Sequence, residues 1–346
     1  MSEQGTRSPK QEDLADRERL AGLFSRLYRA LTRSGFRGYD PYDLLASRLP
    51  LGLLSKADSA MYHSKELGRN TFAYFTDTLN RHMARRLALE EQLHGALERQ
   101  EFHLVYQPKI ALQSGELVGA EALIRWHSEA LGEVPPAEFI PIAEQCGLIL
   151  PIGRFVLTQA LETAGHWQRQ YQRPLCMAVN LSPRQFRDVD LVACIDNALR
   201  QSAIDAHSVE LEITEGVLME GLESVETTLG ELQKRGLRLV MDDFGTGYSS
   251  LSYLRTYPFD VLKIDRSFVG DITRDSADLE LVNAAIAMGH GLGLEVVAEG
   301  VETQEQLRLL KRQQCDFAQG FLFSRPVGAE RFEALLEGGL PMVEKA

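Results

Sequence analysis

The sequence has no long apolar run. Stretches such as Leu148-Ile149-Leu150-Pro151-Ile152 fall far short of the ~20 residues that a bilayer-spanning helix needs. The opening Met1-Ser2-Glu3-Gln4-Gly5 lacks the basic-then-apolar layout of a secretory leader. A soluble, cytoplasmic chain without a membrane segment is therefore expected. Cysteine is scarce: Cys146, Cys176, Cys194 and Cys315 stand far apart with no Cys-x-x-Cys pair, which argues against a zinc knuckle or a dithiol couple and for reduced, mostly buried thiols. Positive charge is not in excess either. At a formal net charge of −12, the chain lacks the surplus of Lys and Arg that binding a nucleic-acid polymer requires. An anionic ligand would need cations to offset the local field. The acid excess belongs to residues 51–346, because residues 1–50 are slightly basic. No Gly-x-Gly-x-x-Gly follows an early strand-like run, so the signature of a dinucleotide-binding sheet is missing.

What is present is ordinary globular material: 346 residues, 44% hydrophobic and 25% charged, enough for one large domain and something smaller. Leu14, Leu20, Leu23, Leu27 and Leu31 keep a loose helical period that Ser34–Pro41 breaks. A second helical run follows, closed by Gly68. Residues 1–76 are thus expected to form a small helical N-terminal segment. Leu79, Met83, Leu87, Leu93 and Leu97, interleaved with Arg and Glu, describe an amphipathic lead-in helix within residues 77–100. From Glu101 the pattern changes to short apolar runs, mostly separated by longer amphipathic ones. The runs fall at 102–107, 117–124, 175–181, 209–214, 237–242, 260–264, 294–298 and 315–319. Eight such units predict an α/β fold, a (β/α)8 TIM-like barrel over residues 101–340.

The polar residues at the ends of these runs carry the functional argument. Side chains alternate along a strand. If Val179, Leu211, Met241, Ile264 and Ala298 face the surrounding helices, then Asn180, Glu212, Asp242, Lys263 and Glu299 face the barrel axis. The C-terminal mouth of such a barrel is where reactive groups collect. Glu121 adds a further carboxylate. Several carboxylates in one desolvated pocket stay ionised only beside cations or hydrogen-bond donors. All-oxygen ligands without Cys or His suit Mg²⁺ or Mn²⁺. Each acid taken singly also reads as a solvated strand end or helix cap; the shared register favours a metal site. Asp242-Asp243-Phe244-Gly245-Thr246-Gly247 is the most specific local feature. Both aspartates can reach one site only if the chain turns after Asp242, which Gly245 and Gly247 permit. Two adjacent acids on a turning backbone can hold two cations at the roughly 3.5–4 Å spacing of two-metal phosphodiester chemistry.

These blocks resemble the EAL domain. They comprise Tyr106-Gln107-Pro108, Glu121-Ala122-Leu123, Val179-Asn180-Leu181-Ser182, Glu212-Ile213-Thr214-Glu215, the Asp-Asp-Phe-Gly-Thr-Gly loop, Lys263-Ile264-Asp265, Ala298-Glu299-Gly300-Val301-Glu302 and Gln319-Gly320. The resemblance implies hydrolysis of cyclic di-GMP to linear 5′-pGpG by a metal-dependent phosphodiesterase that lowers this second messenger. It implies Glu121, Asn180, Glu212, Asp242, Asp243 and Glu299 as ligands of two divalent ions, with Lys263 positioning or activating the attacking water. It also implies that Gln107 and Arg125 contact the dinucleotide and that Gln319 orients water or ligand. It further implies that Glu215 anchors the Asp243–Ser250 loop and that the protein forms a homodimer. Asp265, Ser182 and Glu302 read equally as helix caps or structural hydrogen bonds. Phe321 departs from the Tyr common at that position. Ala57-Asp58, Met61-Tyr62, Lys65 and Gly68-Arg69-Asn70 resemble the tail of a GGDEF cyclase domain, but the naming turn occurs nowhere. Residues 1–76 are therefore expected to be a truncated remnant without cyclase activity. A silent cyclic di-GMP receptor and a protein-interaction module are the competing expectations; degenerate relatives lack ligands that are intact in this chain.

Overall fold

The computed structural model describes residues 77–218, 223–245, 251–274 and 276–339. The expected helix over residues 14–31 and the GGDEF-like run lie outside the described residues. Contacts divide the chain between Arg85 and Arg86, and the unit that begins at Arg86 contains the whole barrel.

Among the described residues, nine strands form one sheet: β1 (Phe102–Ala111), β2 (Leu117–Ser128), β3 (Gly132–Val134), β4 (Cys176–Leu181), β5 (Val209–Thr214), β6 (Arg238–Phe244), β7 (Val261–Ile264), β8 (Glu295–Ala298) and β9 (Phe317–Ala318). β1 pairs with both β2 and β9, so eight of them close into a barrel and β3 extends β2 as a short flap. All eight predicted strands are among them. The difference from a uniform (β/α)8 barrel is the direction of β1, which runs antiparallel to both neighbours. The cause is local. Only Leu112–Glu116 separate β1 from β2, too few for the crossover of a dozen or more residues that a parallel pair needs.

Helices cover the outside: α1 (Asp77–Leu93), α2 (Pro136–Cys146), α3 (Ile149–Tyr171), α4 (Pro183–Phe186), α5 (Leu191–Ser202), α6 (Glu215–Leu218), α7 (Glu223–Lys234), α8 (Leu251–Thr256), α9 (Arg266–Gly270), α10 (Ser276–Gly291), α11 (Gln304–Arg312) and α12 (Ala329–Gly338). None is long and apolar enough to cross a membrane. In α3, Ile149, Ile152, Val156, Ala160, Leu161, Ala164 and Trp167 are buried at helical spacing. Trp167 stacks on Phe332 of α12 at 4.5 Å and meets Tyr106 of β1 edge-on at 4.9 Å. Three aromatics thus pin β1 to its helical cover. Truncating Trp167 to Ala would cost about 3–5 kcal/mol.

The alternation expected along the strands is borne out by two separate apolar clusters. Val179, Leu211, Met241, Ile264 and Ala298 belong to the large cluster shared with the helices. Val240, Val261 and Val297, with Phe317 against them, form a small cluster of their own inside the barrel. That plug lies beneath the polar residues and closes their pocket from below. Further inside, Lys109 is paired with Glu210, which accepts from Arg238 at 3.0 Å. Lys109 and Glu210 are both buried. Each lies two residues from Gln107 or Glu212 and so on the same strand face. This lower layer of paired charges escaped the sequence reading, although the alternation that finds Glu212 also finds Glu210.

Candidate active site

Lys263 is the centre of the polar layer. It is the penultimate residue of β7 and faces inward, 2% exposed, with its Nζ 2.7 Å from Glu299 Oε1, 2.8 Å from Glu212 Oε1, 3.2 Å from Asp242 Oδ1 and 3.8 Å from Glu121 Oε2. The carboxylates come from β2, β5, β6 and the residue after β8, so the four acids and the lysine meet only because the sheet closes. Neighbouring amides organise Glu121: Asn180 Nδ2 donates to its Oε1 at 2.7 Å and Gln319 Nε2 to its Oε2 at 2.5 Å. Gln319 also donates to Gln107 Oε1 at 3.0 Å. Every residue that the shared register pointed at the axis is therefore in one cluster, together with Glu121, Gln107 and Gln319.

The electrostatics are those of a site short of positive charge. Burial pushes the Lys263 ammonium down, but Asp242, Glu121, Glu212 and Glu299 outweigh it and hold the pKa well above the usual lysine value. Lys263 is thus a fixed cation and hydrogen-bond donor. Burial pushes Glu121 up, yet the charge of Lys263 and the donors on its oxygens bring it below the ordinary carboxylate range. Burial and the charge of Glu121 push Glu212 well up, against Lys263. Burial also lifts Glu299 to about 7, the attraction of Lys263 being partly cancelled by Asp242 and Glu121. Carboxylates that resist ionisation together are what a divalent cation relieves.

Asp242 and Asp243 reach the same side by a backbone device. The β6–β7 register shifts between Met241 and Phe244, and Asp243 itself takes the left-handed conformation at φ 55°. That conformation costs a non-glycine residue of order 1–3 kcal/mol. Its N–H donates to Asp242 Oδ1 at 2.9 Å. The sequence placed the turn after Asp242 and credited glycines; Asp243 is the turning residue. Gly245, at φ 96°, continues the bend where a Cβ would strike the Phe268 ring at 2.7 Å, while Gly247 lies outside the described residues. Glu215, at the start of α6, accepts from Gly245 N at 3.5 Å.

The residues present fit a divalent metal. Asp242, Asp243 and Glu299 each offer an oxygen within 4.8 Å of the others. Glu212 Oε2 is buried with no hydrogen-bond partner, an orphan acceptor that a cation would satisfy. The donor set is all hard oxygen. Arg125 stands outside this cluster. It is half-buried, its Nη1 donating to the Ile124 carbonyl at 2.8 Å, and burial lowers its pKa against the pull of Glu121. Ser182 and Asp265 are helix caps, accepting from Gln185 N and Ser267 N. Glu302 N donates to Gln306 Oε1 at 2.8 Å.

Comparison with known proteins agrees with this geometry. The EAL domain profile matches residues 90–326. The chain is 41% identical over 282 residues to the bifunctional diguanylate cyclase/cyclic di-GMP phosphodiesterase MucR of Pseudomonas aeruginosa, a match covering 82% of this chain and 41% of that protein. The chain spans between a third and two fifths of the length of the first curated relatives it matches. A solved structure, the MucR phosphodiesterase in complex with c-di-GMP, is similar at 41% identity and a TM-score of 0.68, over 71% of this chain and 99% of that one. The FimX EAL domain from Pseudomonas aeruginosa, bound to c-di-GMP, is similar at 25% identity and a TM-score of 0.63, over 70% and 96% of the two chains. With its closed barrel, its carboxylate ring and a profile match over most of its length, the chain belongs to the EAL domain family, whose members are metal-dependent.

Proposed function

We propose that this protein hydrolyses cyclic di-GMP to linear 5′-pGpG. The observation that carries the reading is the ring of Glu121, Glu212, Asp242 and Glu299 around Lys263, with Asp243 turned to the same side. Water adds across one P–O bond, leaving a 5′-phosphate on one nucleotide and a free 3′-hydroxyl on the other.

Glu121, Asn180, Glu212 and Asp242 would hold one Mg²⁺ or Mn²⁺, and Asp243, sharing Asp242, a second, with Glu299 completing the set. Such ions lower the pKa of a ligated water and neutralise charge on the transferring phosphoryl group. The remaining work falls to the chain's own residues. Lys263, whose pKa the surrounding carboxylates hold well above the usual lysine value, donates to the attacking water or to a phosphate oxygen; it orients rather than deprotonates. Glu299, lifted by burial to about 7 in the metal-free site, would be ionised once it completes that set. Arg125 offers a planar fork to a phosphate, and Gln107, tied to Gln319, fixes the substrate's seat above Glu121. Glu215 sets the shape of the loop after Asp243. A homodimer and a cytoplasmic location accompany this reading, and residues 1–76 belong to it as a non-catalytic remnant.

The test is chromatographic: incubate the chain with cyclic di-GMP and Mn²⁺ or Mg²⁺, with a chelator control. Metal-dependent linear dinucleotide supports the proposal. Tight binding without product would replace it with a silent receptor, and neither binding nor turnover with an interaction module.

A further inference from the structure

The wall that β1 and β2 contribute to the barrel mouth can be followed rung by rung from their register. Gln107 stands opposite Glu121, Val105 opposite Leu123 and His103 opposite Arg125, with no shift in the pairing between them. Gln107 and Glu121 point inward, since both accept from Gln319. Side chains two and four residues along a strand share a face, so all three rungs line one wall. Burial follows the same order. Gln107 and Glu121 are buried, Val105 and Leu123 half-buried, Arg125 half-buried and His103 exposed. The wall therefore rises from the acid cluster, over an apolar rung, to a rung of nitrogen donors at the rim.

His103 escaped the sequence reading of the site, and the register supplies what was missing. Directly opposed side chains on paired strands have Cβ atoms about 5 Å apart, close enough for the imidazole and the Arg125 guanidinium to grip one anion. On the next rung His127 is already engaged by Glu133 at 2.8 Å; among the described residues the His103 imidazole has no such partner. A cyclic dinucleotide carries two phosphodiesters, and hydrolysis brings one of them to the carboxylate cluster. The other must lie clear of those acids. The donor rung stands four residues above Glu121, about 13 Å along the strand.

We propose that His103 is a substrate contact beside Arg125, its ring N–H donating to the phosphate that is not cleaved. This rests on the proposed cyclic dinucleotide substrate and names a subsite for it. A neutral imidazole carries one N–H in either tautomer, so the contact needs no added charge. The phosphate concerned takes no part in bond cleavage, so His103 holds ground state and transition state alike and serves affinity rather than the chemical step.

The experiment measures cyclic di-GMP binding by calorimetry in chelator, where the substrate persists, and steady-state turnover with Mn²⁺. His103→Ala is expected to raise Kd and KM about tenfold, the worth of one hydrogen bond to a charged group, with kcat little changed. Its melting midpoint should stay at the wild-type value, because His103 is exposed. His103→Gln, which keeps an N–H donor, should recover most of the loss, and His103→Glu should weaken binding further than Ala does. Combining His103→Ala with Arg125→Ala should cost less than the product of the two single losses, as expected of two groups on one phosphate. Full additivity would place them on separate parts of the ligand and overturn the inference. Wild-type Kd in His103→Ala, with turnover intact, overturns the contact and leaves the hydrolase reading standing. Binding by the wild type that His103→Ala weakens, without turnover in either, upholds the contact and overturns the hydrolase reading alone. Neither binding nor turnover by the wild type overturns both.

Discussion

Lys263 Nζ lies 2.8 Å from Glu212 Oε1, while the other oxygen of Glu212 is buried without a partner. The single ammonium thus satisfies only part of the acid cluster around it. Replacing Lys263 by Met leaves Glu121, Glu212, Asp242 and Glu299 facing one another without a cation. Removing one partner of a buried ion pair typically costs about 3–5 kcal/mol, and that loss is expected in urea melts of the chelated variant. Divalent cation should stabilise Lys263→Met more than it stabilises the wild type. Equal stabilisation of the two would show that the lysine and the cation do not answer the same charge.

Glu121→Ala should abolish turnover while the barrel stays folded. The residue is held by Asn180, Gln319 and Lys263 rather than by the apolar clusters, and its removal relieves repulsion with Glu212. The expected result is no linear dinucleotide by chromatography and an unfolding midpoint in chelator no lower than that of the wild type. Full activity in this variant would remove Glu121 from the metal set.

Much of this site is legible in the sequence because strand alternation is strictly local. Val179 beside Asn180 and Ile264 beside Lys263 reveal their facing without any tertiary information. Strand direction is different. Nothing within residues 102–107 states that β1 runs against its neighbours; the short link at Leu112–Glu116 is the relevant signal, and only when weighed against the length a crossover needs. The left-handed Asp243 was illegible for another reason. Sequence flags that conformation through glycine, so a strained aspartate beside Gly245 passes unnoticed until its φ is known. Phe321 is a third case, since exposure of one phenylalanine beside a buried one depends on how Gly320 docks on Val301.

Glu215→Ala is expected to weaken turnover without abolishing it. Glu215 accepts from Gly245 N at 3.5 Å, two residues beyond the strained Asp243. Its loss should loosen the second cation position more than the first. The measurement is activity against Mn²⁺ concentration, with half-activation expected at higher Mn²⁺ in the variant. An unchanged metal dependence would separate Glu215 from the loop's metal function.

The raised pKa of Glu299 gives a pH dependence whose sign can be worked out. Its folded value of about 7 lies above the ordinary glutamate value of 4.5, so between those values the metal-free folded state binds more protons than the unfolded chain. Stability then falls as pH rises through this window, by an amount on the order of 3 kcal/mol if the whole shift is realised. A divalent cation requires the ionised carboxylate and reverses the preference. Thermal melts in chelator should therefore show a higher midpoint at pH 5.5 than at pH 8, and the shift produced by saturating Mn²⁺ should be larger at pH 8. Glu299→Gln should make the chelator profile shallower, because the amide does not titrate, and leave the part that the raised Glu212 contributes. A metal-induced shift of equal size at both pH values would mean that Glu299 is ionised throughout and that Lys263 alone already neutralises it.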